Sequence, residues 1–285
     1  MGKVAVVTDS IACLTRELVE EYGIEIIPLN FYANGQVYKD GVDVTPSQAY
    51  DLFLKDPRSF KTAAASPEDC FNAYLRASSQ ASNIICVTLS SKLSALHDVV
   101  CLTAKQFQTE LPGTSVMVLD SGTATAAEGF ITLVAARAAK EGKSVDEVTR
   151  IAEQMKEKVN LVAYMDTVRY VYRSGRIPRV AAIAGSILNI RPIFTFSSGV
   201  PNFMGAVRSE ERGVERLLEV MKEKVGKRSV HVAVMHVYAC NKAEKLMDRV
   251  ASEFNCAELW LTEFSSLMGY ACGTGTLGLA FYPDD

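Results

Sequence analysis

The sequence predicts an α/β fold of two domains: an N-terminal parallel, Rossmann-like α/β sheet and a C-terminal α+β domain with a mixed or antiparallel sheet. Three observations point there. The chain has 285 residues, long for one hydrophobic core and short for three. Its first half repeats the order strand, polar turn, helix, from which parallel sheets are built. Its second half drops that order and separates its strands by a single turn or by long helices. The boundary is placed near residue 160, giving domains 1–160 and 161–285.

Residues 3–8 are the first β-rich run. Residues 14–22 are amphipathic, with Leu14, Leu18, Val19 and Tyr22 at helical spacing and Gly23 as the stop. Residues 24–31 read as a second strand. Thr45-Pro46-Ser47-Gln48 joins a capping-box pattern to a proline at the first helical position, opening a helix that runs to about Leu54. Ser66-Pro67-Glu68-Asp69 starts another helix, to about Ser79. Residues 83–89 and 115–119 are buried-type strands, each followed by a polar turn and a helix. A helix is predicted over 145–159. Beyond it, strands are predicted over 193–196, 230–236, 258–264 and 278–281, and long helices over 209–225 and 241–254. Residues 197–201 read as a hairpin turn between two extended pieces.

Composition removes several classes of function. Hydrophobic residues make up 48% of the chain and charged ones 22%, with 30 Lys and Arg against 33 Asp and Glu and a formal net charge of −3. That balance, without a dense basic run, argues against a nucleic-acid binder, which must neutralise phosphates. The first apolar run is too short for a signal segment. The stretch over 180–188 falls well below the roughly 18–20 residues that span a bilayer. The 7 cysteines form no CxxC pair, so neither a zinc knuckle nor a thioredoxin motif is available, and a reducing cytoplasm is the expected compartment.

In parallel sheets the ligand crevice lies beyond the carboxyl ends of the strands. Those ends carry Thr8-Asp9-Ser10, Thr88-Leu89-Ser90-Ser91 and Leu119-Asp120-Ser121. Hydroxyls and helix N-terminal amides gathered on one edge suit an anion. The competing reading makes Ser10, Ser91, Ser121 and Thr123 helix N-caps. Ser174-Gly175-Arg176-Ile177 places a guanidinium in a tight turn before a nearly uncharged helix, where it either grips a ligand carboxylate through two parallel bonds or pairs with a structural acid. In that helix Ala181, Ala184, Gly185 and Leu188 form a stripe open to close approach. Gly273-Thr274-Gly275-Thr276-Leu277-Gly278 spells G-x-G-x-x-G, but too little chain follows for a ribose-binding acid, so it reads as a turn near the sheet or the interdomain cleft. His231 and His236 stand at odd separation on one strand and face opposite sides. A Ser94–His97–Asp98 triad has no nucleophile elbow to support it, and no metal signature is present. No catalytic residue is therefore assigned.

Taken together these segments resemble the DegV family, fatty-acid-binding proteins that include the B subunit of bacterial fatty acid kinase. The resemblance rests on Val7-Thr8-Asp9-Ser10, Lys61-Thr62 with Ser66-Pro67-Glu68-Asp69, Ser90-Ser91-Lys92-Leu93-Ser94-Ala95 and Val118-Leu119-Asp120-Ser121. It continues through Ser174-Gly175-Arg176-Ile177, Leu188-Asn189-Ile190-Arg191-Pro192, Gly205-Ala206-Val207-Arg208 and the run from Gly269 to Gly278. It implies a long-chain fatty acid held in a tunnel between the domains, with the carboxylate at Thr62, Ser94 and Arg176. It implies no cofactor, the fatty acid being the ligand. The ATP-binding kinase subunit, as partner, would phosphorylate the presented acid. Where the family commonly carries a histidine in the terminal loop, this chain has Ala271, with Tyr270 beside it as a substitute donor. Acyl binding with a weakened kinase partnership is the expectation.

Candidate cavity residues are Ser91, Ser121, Ile183, Ile187, Phe194, Met204, Leu267 and Tyr270. Burying a methylene gains about 0.8 kcal/mol, so fourteen supply roughly 11 kcal/mol before ordering costs, against about 1.5–3 kcal/mol for a charged hydrogen-bond set. The tail then supplies affinity and the head group orientation. The rival readings are an acyl or phosphate hydrolase using the hydroxyl-rich edge, and a regulatory protein with a vestigial pocket.

Overall fold

The computed structural model describes residues 3–166, Tyr170, Gly175 and 190–284. The chain opens with β1 (Val4–Asp9), α1 (Arg16–Tyr22) and β2 (Glu25–Ile27), then the hairpin β3 (Asn30–Ala33) and β4 (Gln36–Lys39), α2 (Pro46–Lys55) and β5 (Lys61–Ala63). Next come α3 (Pro67–Ser78), β6 (Asn83–Thr88), α4 (Leu96–Glu110), β7 (Ser115–Asp120), α5 (Ala126–Lys140) and α6 (Val145–Lys158). The second half holds β8 (Asn160–Tyr164), β9 (Arg191–Ser197) and β10 (Val200–Val207). It continues with α7 (Glu210–Val225), β11 (Val230–His236), α8 (Cys240–Glu253), β12 (Cys256–Glu263), α9 (Ser266–Cys272) and β13 (Leu277–Pro283).

Local chemistry explains the helix starts. Thr45 Oγ1 accepts from Gln48 N at 3.3 Å while Gln48 Oε1 accepts from Thr45 N at 2.9 Å, the reciprocal capping box its spacing predicts. Ser66 Oγ accepts from Asp69 N ahead of Pro67, and Ser144 with Glu147 builds a second box at α6. Helix α1 starts two residues later than its apolar spacing suggests, because the Thr15 hydroxyl accepts from Leu18 N and fixes the N-cap there.

The N-terminal sheet is parallel in the order β2-β1-β6-β7. All six residues of β1 are buried, as a strand covered on both faces requires. The run 24–31 is not one strand. Pro28 has no N–H for a ladder, and the chain leaves the parallel sheet after Ile27 to enter a small antiparallel sheet in the order β4-β3-β5. The second large sheet has six strands in the order β10-β9-β8-β13-β11-β12, antiparallel except for β11 beside β12. The hairpin turn over 197–201 forms as expected, with Ser198 and Gly199 at φ 53° and 80°.

The packing is layered. Helices α3 and α4 cover one face of the parallel sheet, in a core with Tyr74 and Phe107. Helix α5 lies between the two large sheets, its Phe130 in T-shaped contact with Trp260 and Tyr282. Helices α7 and α8 cover the outer face of the six-stranded sheet through Leu217, Met221 and Leu246. No helix among the described residues is long and apolar enough to cross a membrane.

Candidate functional site

A cavity of about 370 Å³ opens where the carboxyl ends of the parallel strands meet the six-stranded sheet and α9. Ile11, Leu29 and Leu89, which follow β1, β2 and β6, make one wall. Strands β8 and β9 contribute Leu161, Ala163, Met165, Phe194 and Phe196. Phe264 and the α9 residues Leu267, Met268, Tyr270, Ala271 and Cys272 close another side. Thr62 enters from β5, and Leu93 and Ser94 from the loop before α4. The size lies in the usual range for small-molecule sites, and such a wall favours a hydrophobic ligand with a few polar anchors.

The sequence-derived site residues divide plainly. Thr62, Ser94, Phe194, Leu267 and Tyr270 share this one cavity. Arg176, Ile183 and Ile187, with the small-residue stripe around them, lie outside the described residues. Met204 belongs elsewhere. The β9–β10 register shifts between Phe203 and Gly205, which leaves Met204 as the extra residue of an edge-strand bulge, 41% exposed. Ser91 and Ser121 do not line the cavity either. The Ser91 hydroxyl donates to Asp120 at 2.6 Å, and Ser121 Oγ accepts from Thr123 N within its own turn.

The hydroxyl-rich edge is thus consumed by its own loops, yet not by helix capping. Ser10 Oγ accepts from Leu29 N at 3.3 Å, and neither Ser121 nor Thr123 caps α5. Asp9 organises this edge instead. One carboxylate oxygen accepts from Ile11 N at 2.8 Å and the other from Leu89 N at 2.9 Å, so it ties together two loops of the cavity wall. Burial pushes Asp9 up to about 6. Glu128, fully buried beside it, is pushed well above the usual carboxylate range by burial and by Asp9.

Among the described residues, nucleophilic machinery does not assemble here. His97 Nδ1 is 3.0 Å from Thr88 Oγ1 and Nε2 is 3.5 Å from Cys101 Sγ, while Ser94 Oγ accepts from Leu96 N. Cys272, in the cavity wall, has its thiol pushed up to about 12 by burial and stays protonated. His231 and His236 do face opposite ways. His231 meets Glu258 and Asp284 at the surface, whereas His236 is 6% exposed. Among the described residues no cluster of three or more metal-type ligands occurs. The glycine-rich run ends α9 and enters β13, with Gly273 and Gly275 at φ 86° and 85° and Thr276 Oγ1 donating back to Gly273 O at 2.8 Å. It is a helix-to-strand turn.

Sequence reasoning missed Leu29, Leu89, Leu161 and Phe264. Each is an apolar residue of the kind that fills any core, and only their convergence marks them.

The fold and cavity define a two-domain α/β protein with an apolar site between a parallel and a mixed sheet. The chain belongs to the DegV family: residues 3–284 match the family model, described as an uncharacterised protein of the DegV family. It is 32% identical over 278 residues to a DegV domain-containing protein of Streptomyces coelicolor, covering 97% of each chain. Its fold is similar to that of a fatty-acid-binding DegV family protein from Thermus thermophilus, with TM-score 0.89, 25% identity and coverage of 99% and 100% of the two chains. A stearic acid-binding protein from Eubacterium ventriosum shares the fold at TM-score 0.89 and 21% identity, covering 98% of each.

Proposed function

We propose that this chain is a non-catalytic, cytoplasmic binder of one long-chain fatty acid, held between domains 1–160 and 161–285. The acyl tail occupies the cavity, and Thr62, Ser94 and Arg176 meet the carboxylate. The bound acid is either carried or presented to an ATP-binding kinase subunit for acyl-phosphate formation. The observation that supports this reading most is the cavity itself: an apolar wall contributed by both large sheets, with Thr62 and Ser94 both in it. The similar fold of the fatty-acid-binding Thermus protein points the same way.

Native mass spectrometry of the purified protein, before and after lipid extraction, tests the reading. A mass offset equal to one fatty acid, lost on extraction and lost in a Thr62→Val/Ser94→Ala/Arg176→Ala variant, is the expected result. Protein that stays ligand-free after incubation with palmitate and oleate overturns it. Acyl-phosphate formation on adding a fatty acid kinase subunit and ATP is the separate test of presentation.

A further inference from the structure

Thr125-Ala126-Ala127-Glu128 has the residues of a capping box at the start of α5, yet the box does not close. Thr125 makes no side-chain cap bond, and its backbone stands at φ 60° and ψ −153°, a region essentially reserved for glycine. Glu128 is engaged elsewhere, its Oε1 accepting from Thr8 Oγ1 at 3.3 Å. Thr125 is 1% exposed and lines the cavity. Its hydroxyl is buried and has no hydrogen-bond partner among the described residues. A buried hydroxyl without a partner is costly. Diverted from its helix and held in the cavity wall, this one is a donor and acceptor that a polar group of a ligand would complete.

The surroundings decide which polar group. Glu128 stands in the first turn of α5, and Asp120 Oδ1 accepts from Gly122 N at 2.8 Å in the loop that leads to Thr125. Burial raises Glu128, and the charges of Asp9 and Asp120 raise it further. A second carboxylate brought to this helix end would meet the same charges, whereas a neutral oxygen would not. The wall around the site is otherwise apolar, with Ile11, Leu89, Leu161 and Phe264, so that oxygen must be carried on a hydrocarbon frame. Thr62 and Ser94, the hydroxyls assigned to the head group, come from other segments, β5 and the loop before α4.

We propose that Thr125 forms a subsite for a neutral hydroxyl on the acyl chain, so that the cavity takes hydroxylated fatty acids. This rests on the acyl-binding reading and adds to it the chemical class of the chain. An unsubstituted chain leaves Thr125 unpaired, and a hydroxyl carried at the wrong carbon is itself buried without a partner. Only a chain whose hydroxyl falls at Thr125 satisfies both groups, which makes the preference positional.

The test is displacement of a fluorescent fatty acid from the full chain by stearate and by hydroxystearates with the hydroxyl beside the carboxylate, at mid-chain or on the terminal carbon. Wild type is compared with Thr125→Val, which keeps the branched shape and removes the hydroxyl, and with Thr125→Ser, which restores it. One positional isomer is expected to bind wild type at least as tightly as stearate. Thr125→Val should weaken that isomer by ~3- to 10-fold, the range for a neutral hydrogen bond, without weakening stearate, and Thr125→Ser should keep the preference. The proposal is overturned if every isomer binds wild type more weakly than stearate, or if Thr125→Val changes stearate and the preferred isomer alike. In either case stearate binding to wild type leaves the acyl reading standing. If wild type binds none of the four compounds, the acyl reading falls and takes this inference with it.

Discussion

Arg137 and Glu258 are joined by two parallel hydrogen bonds, at 3.1 and 2.7 Å, that tie α5 of the N-terminal domain to β12 of the C-terminal sheet. Tyr22 adds its ring beneath the guanidinium at 5.6 Å. The cavity lies between the same two parts of the chain, so this pair helps set the distance across it.

Removing Arg137 leaves Glu258 half-buried with His231 as its remaining partner. Arg137→Leu is expected to destabilise the protein by about 2 kcal/mol, between the values for exposed and for buried pairs. Urea denaturation of Arg137→Leu, Glu258→Gln and the double variant checks it. A coupling energy near zero would show that the bidentate geometry contributes nothing.

His231 extends this network, with one ring nitrogen 2.8 Å from Glu258 and the other 2.9 Å from Asp284. Hydrogen bonding to Glu258 first, then to Asp284, raises its pKa above the ordinary histidine value. A raised histidine contributes stability that is fully present below its unfolded value, near 6.5, and is lost as the pH climbs through the folded value. The stability gap between wild type and His231→Gln should be widest at pH 6 and should close by pH 9. A gap that widens with pH would contradict the sign.

The buried acids predict a slope from a different cause. Asp9 and Glu128 both have folded pKa values raised by burial, so the folded state holds protons that the unfolded chain has released. Stability therefore falls as the pH rises from the ordinary carboxylate range, about 4, through the value near 6 at Asp9 and beyond. Glu128→Gln keeps the shape and removes one acid. It is expected to match wild type at pH 5 and to melt higher at pH 8. Parallel melting curves across this range would mean that burial does not raise Glu128.

The β9–β10 hairpin, whose Phe196 and Pro201 line the cavity, is latched to the loop that follows β6. Ser90 Oγ donates to Gly199 O at 2.7 Å and Lys92 Nζ to Ser198 O at 2.8 Å. Gly199 is at φ 80°, and a Cβ there would lie 2.8 Å from Ser90 Oγ. Gly199→Val strains the turn and wedges the latch apart. An acyl ligand is then expected to dissociate about ten times faster, the rate equivalent of the roughly 1–2 kcal/mol such backbone strain costs. Stopped-flow release of a fluorescent fatty acid measures it; unchanged release would place the entrance elsewhere.

The sequence by itself determined what neighbouring residues decide among themselves. The Thr45–Gln48 box, the Ser66-Pro67 start, the 197–201 turn and the strand over 230–236 are all set by side chains within a few positions of the backbone they organise. Where a signal was short, the reading failed. Lys61-Thr62-Ala63 carries no alternation by which to name it a strand, and it pairs only because Asn30–Ala33 lies beside it. Tertiary structure alone decided the site. Thr62, Ser94, Phe194 and Tyr270 are scattered over more than two hundred positions and meet only when both sheets are in place. Leu29 and Leu161 belong to the core, and they also line the cavity only because packing leaves a space beside them. Hydrogen bonding along the backbone is local and can be read in order, whereas a cavity is what remains after distant side chains have packed.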